Sequence, residues 1–167
     1  KFAIERENLP VDVRKKSPYR DFQTNNFIVR KSVLENHPFD ESIVQYGYED
    51  LIFAKNLYKD KIKIEHIDNA IYNNDVETNE VFLKKADQSA KSLAHLIETD
   101  LDVRNSSNIK LAKAYALLKK TGGILIYKMF YKIMKPFIIR KLLSGKAELK
   151  TLDLYKLGQL IDHISKS

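Results

Sequence analysis

The chain has 167 residues, with 29 Lys or Arg against 22 Asp or Glu, a formal net charge of +7 and no cysteine. That length suffices for one domain with a real core or for half of a larger one. The composition excludes disulfides, thiolate metal sites and thiol nucleophiles and suits a reducing compartment; no stretch reaches the roughly 20 apolar residues of a membrane span.

The opening KFAIERENLPVDVRKK lacks the apolar core of a signal peptide. A start at Lys1 rather than Met reads as a fragment whose N-terminal portion is missing. Charge is distributed unevenly. Residues 1–100 hold 15 Lys or Arg against 18 Asp or Glu, whereas residues 101–167 hold 14 against 4. No acidic residue stands between Asp102 and Glu148. The break predicts two regions, 1–100 and a basic helical extension over 101–167.

Residues 1–24, with Pro10, Pro18 and no sustained period, predict a surface loop. Arg14, Lys15, Lys16 and Arg20 form a basic cluster there, either solvated or contacting an anion such as a diphosphate. Phe22–Val29 reads as a polar turn entering a short strand at Phe27, Ile28 and Val29. Asn25 and Asn26 are turn formers, or amides offered to a sugar hydroxyl. Ser32 is expected to cap a helical turn through Val33 and Leu34, which Pro38 ends.

In FDESIVQYGYEDLIF, residues 39–53, two carboxylates follow an aromatic-flanked glycine. Leu51, Ala54, Leu57 and Tyr58 recur at helical spacing. Glu49 and Asp50 therefore fall in the first turn of a helix that Gly47 allows the chain to enter sharply. Such acids offset the helix dipole, or they present a catalytic carboxylate at the lip of a cleft. These residues alone leave both readings open.

Residues 61–67 alternate as a half-buried strand, with Ile62, Ile64 and His66 on one face and Lys61, Lys63 and Glu65 on the other. His66 is expected as a hydrogen-bonded core residue rather than a ligand. Asp68 and Asn69 form a turn, and Ala70–Tyr72 a brief strand. Thr78 is the expected N-cap of a long helix with the stripe Phe82, Ala86, Ala90, Leu93, Leu96 and Ile97. Ser106 or Ser107 caps the next, whose buried side is Ile109, Ala112, Ala116 and Leu117. Thr121-Gly122-Gly123 breaks it.

Residues 124–143, ILIYKMFYKIMKPFIIRKLL, place Lys128, Lys132 and Lys135 at i, i+4 and i+7 in an otherwise apolar run, which Pro136 should kink or end. One reading lays this helix on an anionic membrane surface; the other packs it among neighbours with its lysines solvated. A final packing helix starts near Glu148.

The order FQTNNFIVRKSVL, HPFDESIVQYGYEDLIFAKNLYK, IKIEHIDNAIYN, ETNEVFLKKA resembles the C-terminal, acceptor-side part of family-2-type glycosyltransferases of GT-A fold, over about residues 20–100. The resemblance implies an α+β, helix-rich fold: a few short strands within the C-terminal part of a catalytic domain at 1–100, then an all-helical extension at 101–167. It implies Asp50 as catalytic base and Glu49 as the residue that contacts or orients the acceptor. Asn25, Asn26, Tyr46, Gly47 and Tyr48 would bind substrate, the tyrosines offering flat faces to a sugar ring.

The implied activity moves a sugar from a nucleotide-sugar donor to a glycan or lipid-linked saccharide acceptor, with inversion. The resemblance thus implies a transferase of polysaccharide biosynthesis. The resemblance admits a divalent metal, Mg or Mn, in the complete enzyme, with ligands mostly outside this chain. No Asp-x-Asp precedes the matched region, since Asp12 is followed by Val13 and Arg14 and Asp21 stands alone. Asn73 stands where related sequences have histidine, which also admits a pseudoenzyme. With no tryptophan there is no Gln-x-x-Arg-Trp signature of processive synthases.

The alternative is a non-enzymatic cationic helical module on anionic membrane or nucleic acid. Nucleic acid is not expected as a partner, because the basic residues lie among aliphatics. The expected location is cytoplasmic, peripheral at the inner face of the cell membrane through residues 124–143.

Overall fold

The computed structural model describes residues 8–41, 43, 46–69, 71, 77–104 and 109–165. Among these residues every regular element is a helix: α1 (Val11–Lys16), α2 (Lys31–Asn36), α3 (Glu49–Lys59), α4 (Asn79–Thr99), α5 (Leu101–Arg104), α6 (Lys110–Lys120), α7 (Ile124–Leu143) and α8 (Leu149–Ile164). The expected α+β class is therefore overturned. Neither Phe27–Val29 nor Lys61–Ile67 forms a strand. Ala70, Tyr72, Asn73, Ser106 and Ser107 lie outside the described residues.

The reason is pairing. A strand needs neighbours to take up its backbone groups, and residues 61–67 satisfy theirs otherwise. Ile62 N–H donates to Leu57 O at 2.9 Å, Ile62 O accepts from the Tyr19 hydroxyl at 3.0 Å, and Ile67 O accepts from Arg14 Nη2 at 3.3 Å. The alternation survives as burial alone: Ile62, Ile64 and His66 turn inward, while Lys61, Lys63 and Glu65 are exposed. Ile28 is 99% exposed, so its β-propensity meets no partner.

The chain divides into two compact units, the first comprising 1–44 and 48–76, the second 45–47 and 77–167. In the first, α3 buries Ile52, Phe53, Ala54 and Leu57. Phe53 is the hub of an aromatic cluster. Phe39 stacks on it at 4.5 Å between centroids, and Phe22 and Phe27 follow at 5.7 and 6.3 Å. Such pairs add roughly 0.5–1.5 kcal/mol each beyond their burial.

The segment expected as a loop contains α1. Pro10 precedes it with φ −54°, and Pro10 O accepts from the N–H groups of Val13 and Arg14 at 3.0 and 3.1 Å. Arg14 is a structural residue: Nε donates to Leu9 O at 3.2 Å and Nη1 reaches His66 Nδ1 at 3.3 Å. His66 Nε2 lies 2.9 Å from Pro18 O. A carbonyl only accepts and a guanidinium only donates, so His66 carries its proton on Nε2 and accepts at Nδ1. It is thus the hydrogen-bonded core histidine expected. Arg20, exposed like Lys15 and Lys16, pairs with Asp21 at 2.9 Å. In α2 the N-cap is Arg30 with no side-chain cap, and Ser32 lies inside the helix rather than capping it.

In the second unit, α8 packs against α4, α6 and α7. The α4 stripe is buried much as its spacing predicts, with Ala90 and Leu93 fully inside, as are Leu160 and Ile161 of α8. Thr78 caps α4, its hydroxyl accepting from Val81 N–H at 3.4 Å. Backbone and Thr78 hydrogen bonds hold the Glu80 carboxyl below its usual value. Helix α4 belongs with the extension helices rather than with residues 1–76.

Three expectations change here. Ile109 and Ala112 are buried at α6 as expected, but Ala116 and Leu117 are exposed. Helix α7 runs unbroken through Pro136. The pyrrolidine is on the exposed side, while Tyr131 and Ile138, on either side of it in sequence, are buried at 2% and 6% exposure and hold the helix to its neighbours. The lysine stripe is split. Lys135 turns inward, donating to Gln159 Oε1 at 2.7 Å and lying 3.6 Å from Asp162. Gln159 also accepts from the Tyr131 hydroxyl at 3.1 Å and donates to Asp87, which His163 reaches at 2.9 Å. Because every partner is supplied by another helix, this polar layer fixes the register of α4, α7 and α8.

Candidate functional site

The chain enters α3 through two successive left-handed residues, Gly47 at φ +102° and Tyr48 at φ +76°. A Cβ on Gly47 would stand 2.9 Å from Ser89 Cβ and Oγ, so glycine is required by both conformation and space. Tyr48 in this conformation costs roughly 1–2 kcal/mol. The turn repays that strain by bringing both acids into the first helical turn.

No side chain caps α3. Its first N–H groups lack intrahelical partners, and the positive end of the helix dipole faces Glu49 and Asp50. Asp50 Oδ1 accepts from the Thr24 hydroxyl at 2.5 Å, a short, charge-assisted bond across 26 residues. Oδ2 has no further partner among the described residues. Glu49 differs: its Oε2 is buried and has no hydrogen-bond partner. A polar oxygen left so costs on the order of 1–3 kcal/mol.

The polar turn at 24–26 is therefore tied to the carboxylates, though through Thr24 and not through the asparagines. Asn26 Nδ2 donates to Asn69 O at 2.9 Å and works as a turn staple; Asn25 is exposed on the same turn. Thr24 was missed by sequence reasoning, although it lies in the same QTNN string. Nothing in local spacing links a turn threonine to an acid 26 positions on.

Tyr46 and Gly47 belong to the second unit. Tyr46 O accepts from the Ser92 hydroxyl at 3.2 Å, and Lys85 Nζ lies 5.1 Å above its ring. One face of the Tyr46 ring is thus covered by a cation. Tyr48 is half-buried in the first unit, beside the acids.

An open depression lined by His37, Pro38, Phe39, Asn56, Lys59 and Asp60 lies at the C-terminal end of α3, roughly 15 Å along the helix from the carboxylates. Among the described residues no group of three or more His, Cys, Asp or Glu is placed to hold a metal ion. His66 has both ring nitrogens engaged. No family model, curated protein or solved structure matches the chain.

Proposed function

We propose that the Glu49–Asp50 pair is the acceptor-side carboxylate site of a glycosyltransferase that uses a nucleotide-sugar donor. The observation that carries this reading is the state of the two acids. Asp50 is held by Thr24 through one oxygen and keeps the other open, and Glu49 Oε2 is buried without a donor. A polyol acceptor supplies the missing donor once the Glu49 side chain turns its buried Oε2 toward the entering sugar hydroxyl.

A neighbouring hydroxyl then lies against Asp50. As its oxygen attacks the anomeric carbon, Asp50 Oδ2 takes the proton, the bond from that carbon to the diphosphate oxygen breaks, and its electron pair leaves with the nucleoside diphosphate. Attack opposite the leaving group inverts the centre. Thr24 fixes the rotamer of the base, so that proton transfer requires no rearrangement. The groups that bind the donor diphosphate, and any metal on it, lie outside the described residues in this reading.

The test uses the whole gene product with a saccharide acceptor and follows nucleoside diphosphate release. Asp50→Asn should lower turnover about 10²–10⁴-fold, the range of general-base catalysis. Glu49→Gln should weaken acceptor binding, seen in KM for the acceptor. Undiminished turnover by Asp50→Asn would remove the base assignment.

A further inference from the structure

The largest feature that the carboxylate site leaves unexplained is the outward face of α7. Leu125, Ile126, Met129, Phe130, Ile133 and Phe137 are each between 45% and 74% exposed. At 3.6 residues per turn they form one continuous stripe, opposite the buried Tyr131 and Ile138. Lys128 and Lys132 are exposed along one edge of this stripe, Lys141 lies on the other, and Arg140 closes its C-terminal end. An apolar face of this extent on a charged chain marks an interaction surface.

We propose that this face of α7 lies in the interface of an anionic membrane, with the helix axis along the surface and the flanking lysines at the lipid phosphates. Charge identifies the partner. Residues 103–147 contain eleven Lys or Arg and no acidic residue. A second copy of the chain, meeting α7 to α7, would set cation against cation with no carboxylate on either helix to offset it. Nucleic acid would set its phosphates against six apolar side chains. A lipid leaflet alone offers both an acyl boundary for the stripe and a negative plane for its edges. A spanning role is not available, since no helix of the described residues is long and apolar enough to cross a membrane. The inward turn of Lys135 sharpens the case, because it clears the stripe of a charge that would otherwise accompany it. This attachment holds whether or not Asp50 is a base.

The purified protein is to be tested by co-sedimentation with phosphatidylcholine vesicles, with and without phosphatidylglycerol, at low and high salt. Binding to the anionic vesicles should exceed binding to the neutral ones and weaken with salt. Ile126→Glu with Ile133→Glu should lower that affinity by about a hundredfold or more, since each loses an interfacial side chain and adds a repelled charge. Lys128→Glu with Lys132→Glu should lower it at low salt and approach wild type at high salt. All four sites are exposed, and circular dichroism checks that the variants retain wild-type helicity. Wild-type vesicle affinity in the Ile126→Glu/Ile133→Glu variant would overturn the proposal. So would failure of wild type to bind anionic vesicles while it forms a dimer that this variant breaks. Oligonucleotide binding that displaces the vesicles through the same residues would overturn it as well.

Discussion

Replacing Gly158 by alanine sets two effects of opposite sign against each other. In the interior of a helix such as α8, alanine is favoured over glycine by about 1 kcal/mol, so propensity alone predicts a more stable protein. The packing predicts the reverse. A Cβ at this position would stand 2.3 Å from Tyr131 Cε2 and Cζ and 2.4 Å from Cδ2, against ordinary carbon contacts of about 3.5–4.0 Å. The ring cannot simply turn away, because it is 2% exposed and its hydroxyl is bonded to Gln159. Overpacking of this kind costs about 1–3 kcal/mol, and a displaced ring also loses a buried hydrogen bond worth on the order of 1 kcal/mol. The net expectation for Gly158→Ala is a loss of about 2 kcal/mol.

Urea unfolding followed by circular dichroism measures it. Tyr131→Leu provides the control: destabilising alone, it should make the added methyl group neutral or favourable, a coupling of about 2 kcal/mol. A Gly158→Ala protein as stable as wild type, or strict additivity with Tyr131→Leu, would refute the reasoning.

Two further outcomes follow from the same geometry. Gly47→Ala combines a left-handed φ of +102° with the approach to Ser89 and should lower stability by about 2 kcal/mol in urea titrations; adding Ser89→Gly should recover the steric share and leave the conformational one. Burial pushes the hydroxyls of Tyr127 and Tyr155 up to about 12, from an ordinary value of 10. The unfolded chain therefore releases these protons first, so their contribution is intact below pH 10 and is lost between about 10 and 12. The urea midpoint should be flat near neutrality and fall in that alkaline window. A tyrosinate absorbance titration should show a late phase; a single phase near 10 would count against the buried placement.

Helical periodicity was legible where one face alone meets a core. The α4 stripe, the first-turn position of Glu49 and Asp50 and the Thr78 cap could be read from residue spacing. The strands could not be judged in the same way. Alternation at 61–67 correctly ranks which side chains turn inward, but whether a neighbour accepts the backbone is a non-local fact. In α7 the sequence shows apolar residues nearly all round, so spacing does not say which of them face the bundle. Tyr131 decides that, through its fit on Gly158 and its bond to Gln159, and the same fit pulls Lys135 inside. At the site, the acids announce themselves by their turn, whereas Thr24 becomes visible only once the chain has folded it against Asp50.

The Gly47 turn also bears on how the molecule assembles. Residues 45–47 complete the second unit, although the residues flanking them belong to the first. The second unit is thus interrupted in sequence by an insertion, residues 48–76. The ends of that insertion must be brought together before Tyr46 O can meet Ser92 and Gly47 can meet Ser89. Closing a loop of about thirty residues costs roughly 3 kcal/mol of chain entropy. A chain cut to begin at residue 77 would escape that cost, but it would keep α4 with Ser89 and Ser92 stripped of their cover. The helical unit is therefore not a module that can be lifted out by a cut at residue 77. Its surface is finished over Ser92 and Ser89 by Tyr46 and Gly47, which stand just ahead of Tyr48 and the carboxylate pair.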